Sequence, residues 1–320
     1  MSRRRNIVLF ALALVAASPL LMVLVAMALH GRTGVPGDLS ASAALREPPV
    51  GLSEPLTLKV VTFNIQDLYI AGKDRPLRMR AIGAKLYTLD PDLVGFQEAF
   101  VSADRALLLK ELAPTRLQYH QYFPSAIAGS GLLVASAFPI QEVYFRQYTA
   151  SNPWYKVWEG DWWAGKGVAL ARLALPDGGT LDFYNTHAQA GYGNPAYDVV
   201  RKQQMLELAA FIHESRCAAA PGLLVGDMNC RPGDEDFESA VSGAGLVRAM
   251  IGDSRIDHIF SLPDGSYTVA VTATEPIEAT VKLGEKMLTL SDHTGYMSTI
   301  TIRPAQNDVA RPSEGGPEAD

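Results

Sequence analysis

The chain has 320 residues, of which 48% are hydrophobic and 19% charged, and its formal net charge is −6 at pH 7. This balance excludes an intrinsically disordered chain and describes a core-forming protein of one large or two ordinary domains. No basic run follows the first five residues, so an extended footprint for nucleic acid is missing, and two cysteines are too few for a disulfide framework. Cys217 and Cys230 can still form one bridge or remain two thiols.

Arg3, Arg4 and Arg5 precede an unbroken apolar run over residues 7–29. Signal-peptide cores are shorter, whereas about 20 apolar residues span a bilayer. Residues 1–30 therefore read as a transmembrane anchor, with the arginines cytoplasmic and the catalytic domain extracytoplasmic. The small residues around Ala28 keep the alternative of a cleaved signal and a secreted protein. Residues 31–54, rich in Gly, Pro, Ser and Ala, read as a linker, and 304–320 as a disordered tail. Between them, 55–303 reads as one domain, expected to act as a monomer.

Within it, apolar and β-branched runs predict strands at 56–65, 92–99, 131–138, 166–175, 180–188, 222–229, 257–262, 267–275 and 294–302. Helical spacing predicts helices at 78–89, 103–112 and 198–213. Strands outnumber helices and often follow one another, which points to two packed sheets flanked by helices.

Several of these strands end in polar residues. A strand buried on both faces that releases a polar side chain at its end places it on the rim of a rigid frame. Asn64 follows Val60-Val61-Thr62-Phe63, and Glu98 follows Leu93-Val94-Gly95-Phe96-Gln97. A carboxylate in that position is a hard oxygen ligand of the kind Mg²⁺ takes. His187 closes Phe183-Tyr184-Asn185-Thr186. Asp227 and Asn229 leave Leu223-Leu224-Val225-Gly226 with one residue between them, so both can point the same way. Asp257 opens a later strand, and Asp292-His293 precedes the last, so that Asp257 and His293 can form an acid–base pair.

The ordered set Asn64, Glu98, His187, Asp227-x-Asn229, Asp257, Asp292-His293 resembles the endonuclease/exonuclease/phosphatase superfamily. Within it, three stretches resemble the neutral sphingomyelinase branch: Asn185-Thr186-His187-Ala188-Gln189-Ala190-Gly191, Gly129-Ser130-Gly131-Leu132-Leu133, and Asp161 through Lys166-Gly167. The resemblance implies an α/β fold, a four-layer sandwich of two mainly antiparallel sheets flanked by helices. It also implies a metal-dependent phosphodiesterase using Mg²⁺, or Mn²⁺ in its place. Asn64 and Glu98 would hold the metal, with Asp227, Asn229, Asp292 and His293 as further contacts. His293 would act as base, oriented by Asp257; Asp227 and Asn229 would position water and phosphate; His187 would donate to the phosphoryl oxygens. Asp292 is either a metal contact or a support. A phospholipid headgroup phosphodiester is the expected substrate. The alternatives are an extracytoplasmic nuclease, a sugar or inositol phosphate phosphatase, and a silent binding module.

All four tryptophans lie between residues 154 and 163. They read either as a loop dipping into lipid headgroups or as packing beneath the site.

Overall fold

The computed structural model describes residues 51–305, except 71, 126, 127, 219, 254, 264 and 284, together with Ser18 and Leu21. The expected anchor, apart from those two helical positions, lies outside the described residues, as do most of the expected linker and tail. Among the described residues no helix is long and apolar enough to cross a membrane.

The chain runs β1 (Leu56–Asp67), α1 (Arg75–Leu89), β2 (Leu93–Ala99), α2 (Ser102–Leu112), β3 (Tyr119–Tyr122), β4 (Leu133–Ser136), β5 (Ile140–Gln147), α3 (Gly160–Trp163), β6 (Gly167–Ala174) and β7 (Thr180–His187). It continues through α4 (Ala196–Ser215), β8 (Gly222–Asp227), α5 (Glu235–Ala244), β9 (Val247–Arg248), β10 (Asp257–Leu262), β11 (Tyr267–Ile277), β12 (Thr280–Leu283), β13 (Lys286–Thr289) and β14 (Gly295–Pro304). One six-stranded sheet has the order β11-β14-β1-β2-β4-β3, and the other β5-β6-β7-β8-β10-β9. Pairing is antiparallel throughout both, except β1 with β2 and β7 with β8.

Why the strand runs are continuously apolar follows from their two covered faces. Along β1, Leu58 and Val60 face the core between the sheets, where they meet Phe183, Leu223 and Val225. Val61, Phe63 and Ile65 face the other way, against Met79, Ile82 and Leu86 of α1 and Leu108 and Leu112 of α2. On the opposite side, Leu170, Tyr184, Leu224 and Phe260 pack under Met205, Leu208 and Ile212 of α4 and Phe237 and Ala240 of α5. Helices, sheet, sheet and helices thus make the four layers that the sequence implied. Both cysteines are free, Cys230 buried and Cys217 half-buried, so the bridge left open by the sequence is not formed.

The inner faces become polar toward one end. Asn185 stands between the sheets, donating to the Phe96 carbonyl at 2.9 Å and accepting from Gln97 Nε2 at 2.7 Å. The approach there is close: a Cβ on Gly95 would lie 2.3 Å from Val225 Cγ2. Register then gathers the polar strand ends at this rim. Asn64 pairs with Gln97, His187 with Asp227, and Asp227 with Asp257. Antiparallel pairing of Thr62 with Tyr296 brings the residues just before β14 beside Asn64.

Candidate active site

Asp227 is the centre of the cluster. It is buried, its Oδ2 accepts from Asn64 Nδ2 at 3.0 Å, and it lies 3.5 Å from His187 Nε2 and 3.7 Å from His293 Nε2. His293 Nδ1 bonds Asp257 Oδ2 at 2.8 Å, so the expected acid–base pair is formed as geometry. Its backbone N–H donates to Ser291 Oγ at 3.1 Å, and that hydroxyl donates to the Asn64 carbonyl at 2.7 Å. The β14 approach is thereby tied to β1. Asp292 is exposed, with Oδ1 4.0 Å from His293 Nε2.

Glu98 reaches the site against the strand period. Alternation would put it on the helical side with Val94 and Phe96. Its φ of 56° is left-handed, which breaks the alternation, and its Oε1 comes to 3.8 Å from His187 Nε2. Asn64 is likewise not the last residue of β1, because the strand continues to Asp67 through an irregularity between Asn64 and Asp67. Asn229 adopts φ 52° and its N–H donates to Asp227 Oδ1 at 3.0 Å. This is an Asx-type turn rather than an extended pair, and the Asn229 amide donates to the Ala188 carbonyl at 3.0 Å.

Two residues matter more than the sequence reading indicated. Lys166, buried, places Nζ 3.0 Å from His187 Nε2, 2.6 Å from the Ala188 carbonyl and 2.9 Å from Asp161 Oδ1. The signal for it was there: Lys166-Gly167 closes one of the three stretches that carry the resemblance. Arg78 had no such signal. From α1 it donates Nε to the Leu290 carbonyl at 2.7 Å and its other nitrogens to the carbonyls of Ile65 and Gln66. One buried guanidinium thus ties the segment after Asn64 to the segment before His293. Arg78→Lys is expected to cost roughly 2–4 kcal/mol in urea unfolding, because an ammonium cannot serve those carbonyls together. It should also lower kcat more than it raises KM, since both ends of the site loosen.

His258, next to Asp257, is not part of the site. It faces the outer core against Phe237 and Phe260, with Nε2 3.0 Å from the Cys230 carbonyl, and burial pulls it down to about 4.

The electrostatics describe anions held together out of water. Burial pushes Glu98 up to about 7 and Asp227 up to about 6, and it raises Asp257 as well. Burial also pulls His293 down, but the Asp257 hydrogen bond and the charges of Asp227, Asp257 and Asp292 outweigh it and push the imidazole up to about 10. His187 falls well below its ordinary range through burial, Lys166 and His293, which leaves it neutral.

Such a set fits a divalent cation. Asp227, Asp257 and His293 offer ligand atoms all within 4.8 Å of one another. Asp257 Oδ1 is buried without a hydrogen-bond partner, and oxygen donors outnumber nitrogen in the cluster. Glu98 and Asn64 extend the set on the side of Asp227.

Residues 61–293 match the Endonuclease/Exonuclease/phosphatase family. The chain belongs to that family. Among its relatives, sphingomyelin phosphodiesterase 2 of Homo sapiens is 38% identical over 300 residues, covering 82% of this chain and 70% of that protein. The inositol phosphosphingolipids phospholipase C of Schizosaccharomyces pombe is 36% identical over 195 residues, covering 59% of this chain and 45% of the relative. The chain spans about half the length of several curated relatives it matches. In fold, this family member resembles Staphylococcus aureus beta toxin crystallised with magnesium ions, with a TM-score of 0.60 at 18% identity, covering 76% of this chain and 99% of that one.

Proposed function

We propose that this chain is a Mg²⁺-dependent phosphodiesterase that hydrolyses the headgroup phosphodiester of a phospholipid, as a sphingomyelinase or phospholipase C does. The observation that carries this reading is the His293–Asp257 pair, 2.8 Å apart, standing against Asp227 among buried carboxylates. The relatives, which carry sphingolipid names, support the substrate class.

In this reading His293 Nε2 takes a proton from the attacking water, while Asp257 accepts from Nδ1–H and holds the ring in the useful tautomer. Lys166 brings positive charge to the phosphoryl oxygens. Its ammonium can only donate to His187 Nε2 at 3.0 Å, so neutral His187 positions Lys166 as an acceptor in place of the donor role that the sequence suggested. Asn64, Glu98, Asp227, Asn229 and Asp292 are the candidates to hold a metal, with Asp257 also within reach of it. His293, with Nδ1 on Asp257 and Nε2 serving as base, would ligate it only in place of that role. When bound, the cation supplies Lewis-acid charge to the phosphate and leaving oxygens. Water then replaces the lipid alcohol on phosphorus, releasing that alcohol and the phosphorylated headgroup. The apolar run at 7–29 supports a tether that keeps the domain at the extracytoplasmic face of a membrane, with secretion after cleavage as the alternative.

Product analysis tests the assignment. The full chain with Mg²⁺ is expected to release phosphocholine from sphingomyelin or phosphatidylcholine vesicles, or inositol phosphate from an inositol lipid, and a chelator should abolish the release. Nicking of plasmid DNA with all lipids intact would move the chain to the nuclease branch of the fold.

A further inference from the structure

Six large apolar side chains stand exposed on loops at the site-bearing end of the strands. Tyr69 and Ile70 follow β1, Trp154, Tyr155 and Trp158 precede β6, and Tyr192 follows β7. Because β6 begins at Gly167 opposite His187, the segment ahead of it enters the fold at the mouth of the site. Trp154 is 66% and Trp158 71% exposed.

These rings do not hang on a slack loop. Trp162, buried in α3, donates its indole N–H to the Trp154 carbonyl at 2.8 Å, and Trp163 donates to the Val157 carbonyl at 2.7 Å. The two indoles pack edge to face with centroids 4.7 Å apart. The lower pair of tryptophans therefore holds the backbone that displays the upper pair. The packing reading fits Trp162, which is buried, while Trp154 and Trp158 stand exposed.

Charge on the loop is cancelled internally. Lys156 pairs with Glu159 at 3.3 Å, and Asp161 pairs with Lys166 at 2.9 Å. Within residues 154–166 the rings are displayed without surplus cations, which matches the interfacial zone of a bilayer better than an anionic surface, where unpaired Lys or Arg is needed. We propose that this face seats the domain on a zwitterionic lipid bilayer, with Trp154 and Trp158 entering the headgroup region so that the site opens onto the lipid. The inference deepens the lipid-headgroup reading and rests on it for its partner.

The test reads the tryptophans directly. The full chain and its Trp154→Ala/Trp158→Ala variant are mixed with phosphatidylcholine vesicles, with or without acyl chains brominated near the headgroup. The chain has four tryptophans, all in or beneath this loop, and the N-terminal apolar run carries none, so tethering alone brings no quenching. Wild-type emission is expected to drop by about half on brominated vesicles, and the variant's emission to stay unchanged. The variant's KM on vesicles should rise roughly ten-fold or more, with its rate on a water-soluble phosphodiester of the same headgroup unaltered. Equal quenching in both proteins, or none in either, overturns the proposal. So does binding that requires anionic lipid and fades with salt, or acrylamide shielding that grows with protein concentration without lipid, which would assign the face to a second copy. Quenching without any phosphodiester cleavage keeps the docking face and defeats the catalytic reading, so the two fail separately.

Discussion

Replacing Glu98 by Gln is expected to lower kcat/KM by about 10³-fold or more while the fold stays intact. The substitution keeps shape and hydrogen-bonding reach and removes only the charge. Glu98 is turned toward His187 by its own left-handed φ, with its Oε1 3.8 Å from His187 Nε2. The sign of its pH dependence follows from burial, which pushes the carboxyl up to about 7. Below that pH the group carries a proton in the metal-free protein, and a divalent cation must displace it. Mg²⁺ affinity in the wild-type protein should therefore weaken as pH falls below about 7, on top of any pH dependence that His293 adds above it. Titration calorimetry at pH 6 and pH 8 on both proteins checks this. Wild-type affinity in the Gln variant, or full activity, would remove Glu98 from the metal set.

His293→Ala should cost about 10²–10⁴-fold in kcat, the span of a lost general base, with Mg²⁺ binding less affected than in the Glu98 variant. The Asp257 hydrogen bond and three surrounding carboxylates hold His293 up to about 10 in the metal-free protein, where it is an imidazolium at neutral pH and cannot accept a proton. A divalent charge among those carboxylates opposes the same imidazolium, so adding Mg²⁺ should lower the His293 titration midpoint and release protons. Imidazole resonances followed by NMR across pH, with and without Mg²⁺, read this directly. Asp257→Asn gives the complementary result. It also lowers the midpoint, yet activity should fall by about 10²-fold or more, because the ring loses the partner that orients it. An Asp257→Asn protein as active as wild type would rule out the pair as the base.

Much of the frame was readable before any coordinates. Continuous apolar runs such as Leu223-Leu224-Val225-Gly226 mark strands covered on both faces, and each of the nine predicted runs overlaps a strand of the fold. What escaped lies at edges and on outer surfaces. β3 and β5 are edge strands carrying polar and charged residues, so neither shows a clear period. α5 lies between Asn229 and Asp257, where no helix was predicted. Its sequence, EDFESAVSGA, buries only a narrow stripe that includes Phe237 and Ala240.

The amino-acid sequence by itself determined which residue types the site would contain and their order along the chain, because each polar side chain terminates or follows a locally encoded apolar strand. Only the tertiary structure decided which atoms meet. Glu98 faces the site through one left-handed φ rather than through strand parity. Lys166 meets His187 because β6 and β7 pair in the register that aligns Gly167 with His187. Arg78 bridges the two ends of the site because α1 packs over β1 while the chain before β14 returns alongside it. Those are consequences of pairing between residues far apart in the chain, and local propensity carries no information about them.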